Sequence, residues 1–194
     1  MWEVYQTFAL ELPPPPPPGA GSEMRFLDIG AGLAMYHTHI ARRYKGIVLH
    51  HYLCDRSANE VPTQNSAAHG GWHADRLPFY NSLECARAIN TANGVDRARW
   101  HNVHASQEAV SALGAGSIDV AISILSAGFH YPIDTYARSL RHVLRPRTGR
   151  LLLTLRKLTL QAQLTSLETL GFRCKVLSEQ SPMKQKWTLL VCHI

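Results

Sequence analysis

The chain has 194 residues, of which 45% are hydrophobic and 18% are charged. This length suits a single domain, and this composition excludes a disordered chain and a coiled coil. The net charge of +6 suits an anionic partner such as a nucleic acid but identifies no reaction. No apolar run approaches the about 20 residues that span a bilayer, and residues 1–12 lack the features of a signal peptide. We therefore expect a soluble cytoplasmic protein with no membrane partner.

The cysteines support the same compartment. The four of them lie far apart in the sequence and match no CxxC or zinc-site spacing: Cys54, Cys85, Cys174 and Cys192. Three of the four fall inside apolar runs, where a free thiol packs as a small hydrophobic group. The sequence therefore predicts free thiols in a reducing cytoplasm.

A run of six prolines, Pro13–Pro18, divides a short head from the rest of the chain. Proline disfavours helix interiors and central strands, so the run predicts a stiff polyproline II connector. It also suits an SH3 ligand or a plain spacer. Apolar residues at helical spacing in Trp2–Leu12 predict a helix that docks on the domain as a flap. The expected organisation is a head at 1–12, a linker at 13–21 and the main domain at 22–194.

Strand and helix patterns alternate after the linker. Helical patterns run over Leu33–Tyr44, Ser82–Asn93, Ile133–Leu144 and Leu160–Leu167. The predicted strands are Arg25–Ile29, Ile47–Leu53, His101–Ala105, Ile118–Leu125, Arg150–Leu155, Phe172–Leu177 and Trp187–His193. No helix separates the last two strands, so they must pair as an antiparallel hairpin. The pattern predicts an α/β domain with a mostly parallel sheet, helices on both faces and one reversed strand at the C-terminus.

The segment 57–80 interrupts this rhythm and is long for a connection inside a compact α/β domain. It contains Trp72, His73, Phe79 and Tyr80. Such an insertion is either a cover over an acceptor pocket, with Trp72 against the substrate, or a mobile surface loop.

A glycine turn, Gly30-Ala31-Gly32, follows the first predicted strand. Glycine lets the backbone approach a ligand closely, and the following helix offers free N–H groups. This arrangement favours a ligand shaped like a nucleotide. A dinucleotide fingerprint would place a small residue at position 35, where Met35 stands, which disfavours NAD.

The acidic residue Asp28 stands two positions before Gly30. With Gly30 and Gly32 it matches the first motif, [DE]xGxGxG, of the class I S-adenosylmethionine-dependent methyltransferases, which this sequence therefore resembles; the third glycine is replaced by Ala34. The resemblance covers about Met24–Ile194. It implies a three-layer Rossmann-like methyltransferase fold, and it implies that Asp28 and the Gly30–Gly32 backbone hold the methionyl part of S-adenosyl-L-methionine.

Further cofactor positions lie at the ends of other strands. Asp55 ends the second strand, where a carboxylate can accept hydrogen bonds from both ribose hydroxyls. The resemblance places adenine near the end of the third strand, where Ser106 or Gln107 would bond its N1 or N6 edge. Leu125, the last residue of the predicted fourth strand, completes the expected cofactor contacts.

The loop after the fourth strand carries the candidate chemistry. Methyl transfer to a hydroxyl requires alignment and removal of a proton, so His130 is the candidate general base and Tyr131 the candidate substrate contact. A structural role for the His130 imidazole is the alternative. The [DN]PP[YFW] motif of amino-methylating DNA enzymes is missing at this position. We therefore predict O-methylation of a small-molecule acceptor, such as a sugar or another hydroxylated metabolite.

Two other functions stay open at this point. The basic residues Arg138, Arg141, Arg145 and Arg147 also suit an RNA methyltransferase. The missing third glycine suits a non-catalytic cofactor-binding module. We predict no metal, because neighbouring histidines such as His37 and His39, or His50 and His51, point to different faces of their elements. The sequence carries no signal for the number of subunits.

Overall fold

The computed structural model describes residues 2–17, 22–55, 83–95, 99–177 and 187–194. The first elements are α1 (Trp2–Glu11), β1 (Glu23–Ile29), α2 (Tyr36–Arg43), β2 (Val48–Asp55), α3 (Leu83–Ala92), β3 (Trp100–His104) and α4 (Gln107–Ser111). After them come β4 (Val120–Ser123), α5 (Asp134–Val143), β5 (Arg150–Arg156), a 3-10 turn (Lys157–Thr159), α6 (Leu160–Thr169), β6 (Arg173–Val176) and β7 (Trp187–His193).

The strands form a seven-stranded sheet in the order β3-β2-β1-β4-β5-β7-β6. Strands β3, β2, β1, β4 and β5 pair in parallel, whereas β7 is antiparallel to both β5 and β6. The order of the strands reverses between β1 and β4, and the carboxyl ends of both meet at one edge of the sheet. In open α/β sheets, ligands bind at such a reversal point. The predicted fold class, including the reversed C-terminal strand, is confirmed.

Helices cover both faces of the sheet. Helices α1, α2 and α3 bury apolar side chains against one face, which includes Phe26, Leu49 and Leu53. Helices α4, α5 and α6 pack on the other face, which includes Leu27, Ile29 and Val103. This division follows from the alternation of side chains along each strand. No helix in the described ranges is long and apolar enough to cross a membrane.

The helix α1 lies in the same core as α2. Its side chains Val4 and Phe8 are buried, as is Leu12 just after it. The connector is tied down at both of its described ends, since the Tyr44 hydroxyl donates to the Pro13 carbonyl at 2.6 Å and the Ser22 hydroxyl donates to the Pro17 carbonyl at 2.8 Å. The head therefore adds apolar surface to the domain core.

Phe8→Ala tests this contribution. Phe8 is 0% exposed and packs edge-on against the Tyr36 ring, with centroids 6.4 Å apart. Its truncation should lower the free energy of unfolding by about 3–5 kcal/mol, because transfer and cavity costs add. Leu10→Ala on the same helix is the control, since Leu10 is 82% exposed and its loss should cost less than about 0.5 kcal/mol. Urea unfolding of both variants measures the two free energies. Equally small losses of stability in the two variants would contradict the docked position of α1.

Two of the differences from the sequence prediction concern β4 and α4. The fourth strand ends at Ser123 instead of Leu125, because Leu125 takes a left-handed conformation with φ +54°. Its start is also shorter, since Ile118 makes only an isolated bridge with Leu144. The short helix α4 was not predicted, and it begins where the Ser106 hydroxyl accepts a hydrogen bond from the Ala109 N–H at 3.1 Å.

The prediction of free thiols is wrong for two of the four cysteines. The antiparallel register of β6 and β7 places Cys174 directly opposite Cys192, and the two form a disulfide. Cys54 and Cys85 are free. The pairing depends on strand register, which cysteine spacing along the chain does not reveal. The cysteines therefore no longer argue for a reducing compartment.

Candidate functional site

The glycine turn at the end of β1 is built from backbone conformations that favour small residues. Gly30, Gly32 and Ala34 all have positive φ, at +71°, +50° and +51°. The Gly30 N–H donates to the Cys54 carbonyl at 2.7 Å, and Ala31 N–H makes a longer bond to the same oxygen at 3.4 Å. These bonds fasten the turn to the end of β2.

Asp55 lies beside this turn. Its Oδ2 accepts a hydrogen bond from the Gly32 N–H at 2.8 Å. Because β1 and β2 are parallel neighbours in register, the residue that ends β2 lies next to the turn that follows β1. The structure therefore brings together Asp55 and Gly32, two residues that the sequence assigned to one cofactor site.

The turn closes against the loop that follows β4. A Cβ on Gly30 would lie 1.8 Å from the Ser126 hydroxyl oxygen and 2.4 Å from its Cβ, so only glycine fits there. The Ser126 hydroxyl also bonds the Tyr131 hydroxyl at 2.9 Å. Deeper in the core, the Ser123 hydroxyl donates to the Ile29 carbonyl at 3.0 Å and accepts from the Ala127 N–H at 2.8 Å. The Ser123 hydroxyl thus joins the end of β1 to the end of β4.

Asp28 is buried on the face of the sheet that α2 covers. Its Oδ2 lies 3.2 Å from Nε2 of His37, and Nδ1 of His37 lies 2.7 Å from Nδ1 of His51. Desolvation by burial and the charge of Asp28 raise the pKa of Tyr5 on α1, so that phenol stays neutral near the carboxylate. The acidic residue of the motif is thus a buried residue of β1, two positions before the glycine turn.

The loop that carries His130 is held at several points. Gly128 has φ +83°, and its carbonyl accepts from the Gln163 amide at 2.9 Å and from the Arg156 N–H at 3.2 Å. The Arg156 guanidinium lies over the Phe129 ring, 4.7 Å from its centroid. Burial, and then the charge of Arg156, lower the pKa of His130 below its usual value. A neutral imidazole at pH 7 is the form that can accept a proton.

The remaining predicted cofactor residues lie at the same edge of the sheet. Leu125 follows β4, and its N–H donates to the Thr154 hydroxyl at 2.6 Å. Ser106 and Gln107 begin α4 directly after β3; the Ser106 oxygen accepts the helix-capping bond, and the Gln107 carbonyl accepts from Ser139 at 3.0 Å. Ser106 is thus the N-cap of α4, and Gln107 is its first residue.

Trp72, the other predicted substrate contact, lies outside the described residues, as does the whole 57–80 insertion.

Some residues of the site were not predicted. Sequence reasoning missed Ser123, Ser126 and Thr154, whose only signal is a hydroxyl next to an apolar strand. It also treated His37 and His51 as unrelated. Among the described residues, no group of three or more His, Cys, Asp or Glu side chains is arranged to hold a metal ion.

Comparison of structures agrees with the sheet order. The structure is similar to precorrin-6y C5,15-methyltransferase from Geobacter metallireducens GS-15, with a TM-score of 0.63 at 16% identity, covering 99% of this chain and 89% of that chain. It is also similar to an S-adenosylmethionine-dependent methyltransferase from Mesorhizobium loti, with a TM-score of 0.60 at 14% identity, covering 98% and 96% of the two chains. This chain has the class I methyltransferase fold.

The methyltransferase fold does not by itself establish the reaction. The [4+2]-cyclase SpnF is also similar, with a TM-score of 0.52 at 18% identity, covering 82% of this chain and 55% of that chain. No protein-family model and no curated protein matches the sequence. The function of this chain therefore depends on the residues at the site.

The residues present fit S-adenosylmethionine. Among the described residues, no atom lies within 4 Å of a Cβ placed on Gly32, so within this part of the chain the turn borders open space. Asp55 stands at one side of that space and Asp28 below the turn. The Asp55 carboxylate suits the ribose hydroxyls, and the Asp28 carboxylate suits the cationic methionyl group of this cofactor.

Proposed function

We propose that this protein transfers a methyl group from S-adenosylmethionine to a hydroxyl group of a small-molecule acceptor. The observation that carries the proposal is the bond from the Gly32 N–H to Asp55 at 2.8 Å, which sets a carboxylate beside an open glycine turn. In this position Asp55 would accept both ribose hydroxyls, and Asp28 would orient the methionyl part. When bound, the cofactor supplies an electrophilic methyl group.

The acceptor would lie at the loop after β4. His130 would take the proton from the acceptor hydroxyl, a role that its lowered pKa favours because the imidazole is neutral at pH 7. Tyr131 stands one residue further, with its hydroxyl bonded to Ser126. The glycine turn and this loop are in contact through Gly30 and Ser126. A cofactor held at the turn would therefore lie next to the loop that carries the base.

Calorimetric titration tests the cofactor. We expect saturable binding of S-adenosylmethionine and no binding of NAD in the same buffer, because Met35 stands where a dinucleotide site needs a small residue. NAD binding alone would overturn the proposal. Binding of S-adenosylmethionine without turnover on any acceptor would instead support a non-catalytic cofactor-binding module.

His130→Gln tests the base. With a hydroxylated acceptor identified by formation of S-adenosylhomocysteine, the variant should lose about 100-fold or more in kcat, the typical contribution of general base catalysis. Its affinity for S-adenosylmethionine should not change. In the wild type, kcat/KM should fall only below the usual histidine pKa, since burial and Arg156 keep His130 neutral.

The matched control for that experiment is His142→Gln. His142 is an exposed histidine on α5 and should behave like the wild type. A kcat for His130→Gln equal to that of His142→Gln would assign His130 a structural role only.

The position of Arg145, one of the basic residues, favours a small acceptor over RNA. Arg145 pairs with Asp119 at 3.0 Å, and Asp119 immediately precedes β4. Arg145 therefore lies at the amino end of that strand, at the opposite edge of the sheet from the glycine turn. Salt-sensitive retention of RNA together with RNA methylation would reverse this assignment.

A further inference from the structure

A chain of three buried polar side chains runs inward from the glycine turn. Asp28, His37 and His51 are 6%, 0% and 1% exposed. Nε2 of His37 lies 3.2 Å from Oδ2 of Asp28, and the Nδ1 atoms of His37 and His51 are 2.7 Å apart. Buried polar groups need such partners, because an unmade bond costs about 1–3 kcal/mol.

The bond between the two Nδ1 atoms constrains where protons lie. One of these nitrogens must donate and the other must accept, so they share a single proton. When the pair is neutral, His51 donates to His37, and His37 donates through Nε2 to Asp28. When the pair holds one more proton, His37 donates in both directions. Asp28 keeps its donor in both states, but in the second state a positive charge stands against its carboxylate.

The surroundings keep this positive charge away from His51. Burial, and then neighbouring cationic groups, lower the pKa of His51 well below its usual value; those groups are His37, His50, Arg99 and His101. The rings of Phe26 and Trp100 flank His51, with centroids 6.2 Å and 4.5 Å away. Burial and these neighbours therefore disfavour a positive charge on the His51 ring.

The thiol of Cys54 and the phenol of Tyr5, both under the influence of Asp28, stay neutral. Burial raises the pKa of the Cys54 thiol to about 12, with further contributions from Asp55 and Asp28. Burial, and then the charge of Asp28, raise the pKa of the Tyr5 phenol on α1. The imidazole pair is thus the group that can change the charge beside the Asp28 carboxylate.

A cavity gives the pair contact with solvent on the side away from the glycine turn. It has a volume of about 240 Å³ and is bordered by His51, by Leu49 and Val95, and by Lys45 and Gly46. Lys45 and Gly46 are exposed, so the cavity reaches the surface. The pair therefore borders a solvent-connected cavity through His51.

We propose that His37 and His51 form a proton-holding pair that positions Asp28 and makes binding of the cationic cofactor depend on pH. The inference rests on the proposed binding of S-adenosylmethionine. The cofactor carries a net positive charge, so it binds best when the pair is neutral and Asp28 keeps its negative charge. Cofactor binding therefore expels a proton from the pair, and His37 and His51 act as positioning residues.

Titration calorimetry with S-adenosylmethionine between pH 5.5 and 7.5 tests the pair. In the wild type the affinity should fall with decreasing pH, by at most about tenfold per pH unit for one proton. The heat should differ between phosphate and Tris buffers in proportion to the protons released. His142→Gln, remote on α5, should retain both effects.

Three variants separate positioning from general stability. His37→Gln keeps an amide donor for Asp28 but cannot share a proton with His51, so its affinity at pH 7.5 should stay within about threefold of wild type while the pH dependence disappears. His37→Leu removes the donor and should bind about tenfold more weakly. His51→Phe keeps the ring stack but removes the Nδ1 acceptor for a second His37 proton, so the pH dependence should move to lower pH.

Each outcome has a separate meaning. A wild-type protein that binds no S-adenosylmethionine at any pH contradicts the proposed function. Wild-type binding with flat affinity and no proton release overturns the proton-holding pair alone. If His37→Leu does not fold, the pH profiles of His37→Gln and His51→Phe decide, and profiles that match the wild type would also overturn the proposal.

Discussion

Gly30→Ala is expected to lower the free energy of unfolding by about 2–5 kcal/mol, the largest stability loss among the substitutions considered at the turn. The new Cβ would lie 1.8 Å from Oγ and 2.4 Å from Cβ of Ser126, and Gly30 has φ +71°. Overpacking costs about 1–3 kcal/mol, and a left-handed backbone costs a residue with a Cβ about 1–2 kcal/mol. Urea or thermal unfolding of the purified variant measures the sum.

Gly32→Ala is the matched control for that substitution. Its φ is +50°, but its Cβ would meet no atom of the described residues within 4 Å. It should therefore lose only the backbone cost of about 1–2 kcal/mol. Its Cβ would project into the space assigned to the cofactor, so it should lose S-adenosylmethionine binding while remaining folded.

The double variant Gly30→Ala with Ser126→Gly separates the two costs. Removal of the Ser126 side chain relieves the clash, and about 1–3 kcal/mol of stability should return. No recovery in the double variant would mean that the turn does not close against Ser126.

Asp55→Ala is expected to weaken S-adenosylmethionine binding by more than about 100-fold. The carboxylate would accept two ribose hydroxyls, and each hydrogen bond to a charged group contributes about 1.5–3 kcal/mol. Asp55→Asn should lose less, about tenfold, because the amide oxygen can still accept from the Gly32 N–H and from one hydroxyl. Titration calorimetry of both variants gives the two ratios.

Fragments of the cofactor assign the loss to the ribose. Binding of 5′-methylthioadenosine, which keeps the ribose, should weaken in Asp55→Ala as strongly as binding of the whole cofactor. Asp28→Ala should leave that fragment unaffected and weaken only ligands that carry the methionyl group. Equal losses of the fragment in both variants would show that the two carboxylates do not divide the cofactor between them.

The sequence contained enough information to predict the class of fold. Strand β5 and the helix α5 carry apolar residues at the spacing of their elements, and the absence of a helix between β6 and β7 required an antiparallel pair. These are local signals, because side-chain periodicity reports which face of an element is buried. The same reading placed Asp28, Gly30 and Asp55 at one edge of the sheet, since the carboxyl ends of neighbouring parallel strands meet there.

Local signals could not reveal contacts that depend on packing between elements. Strand register decided that Cys174 lies opposite Cys192. The turn that follows β4, in which Leu125 has a positive φ, is held by the Ser123 hydroxyl, which bonds the Ile29 carbonyl and the Ala127 N–H. Neither contact leaves a pattern within its own segment, so the disulfide and the shorter strand emerged only from the folded chain.

The sequence by itself therefore determined the sheet, its reversed strand and the positions of the two carboxylates at its edge. Only the tertiary structure decided which side chains contact the buried carboxylate of Asp28. His37 lies on a helix and His51 on a strand, and their Nδ1 atoms come within 2.7 Å because α2 packs over β1 and β2. Periodicity tells which residues face inward, whereas the partner that an inward polar group meets depends on how two distant elements are packed.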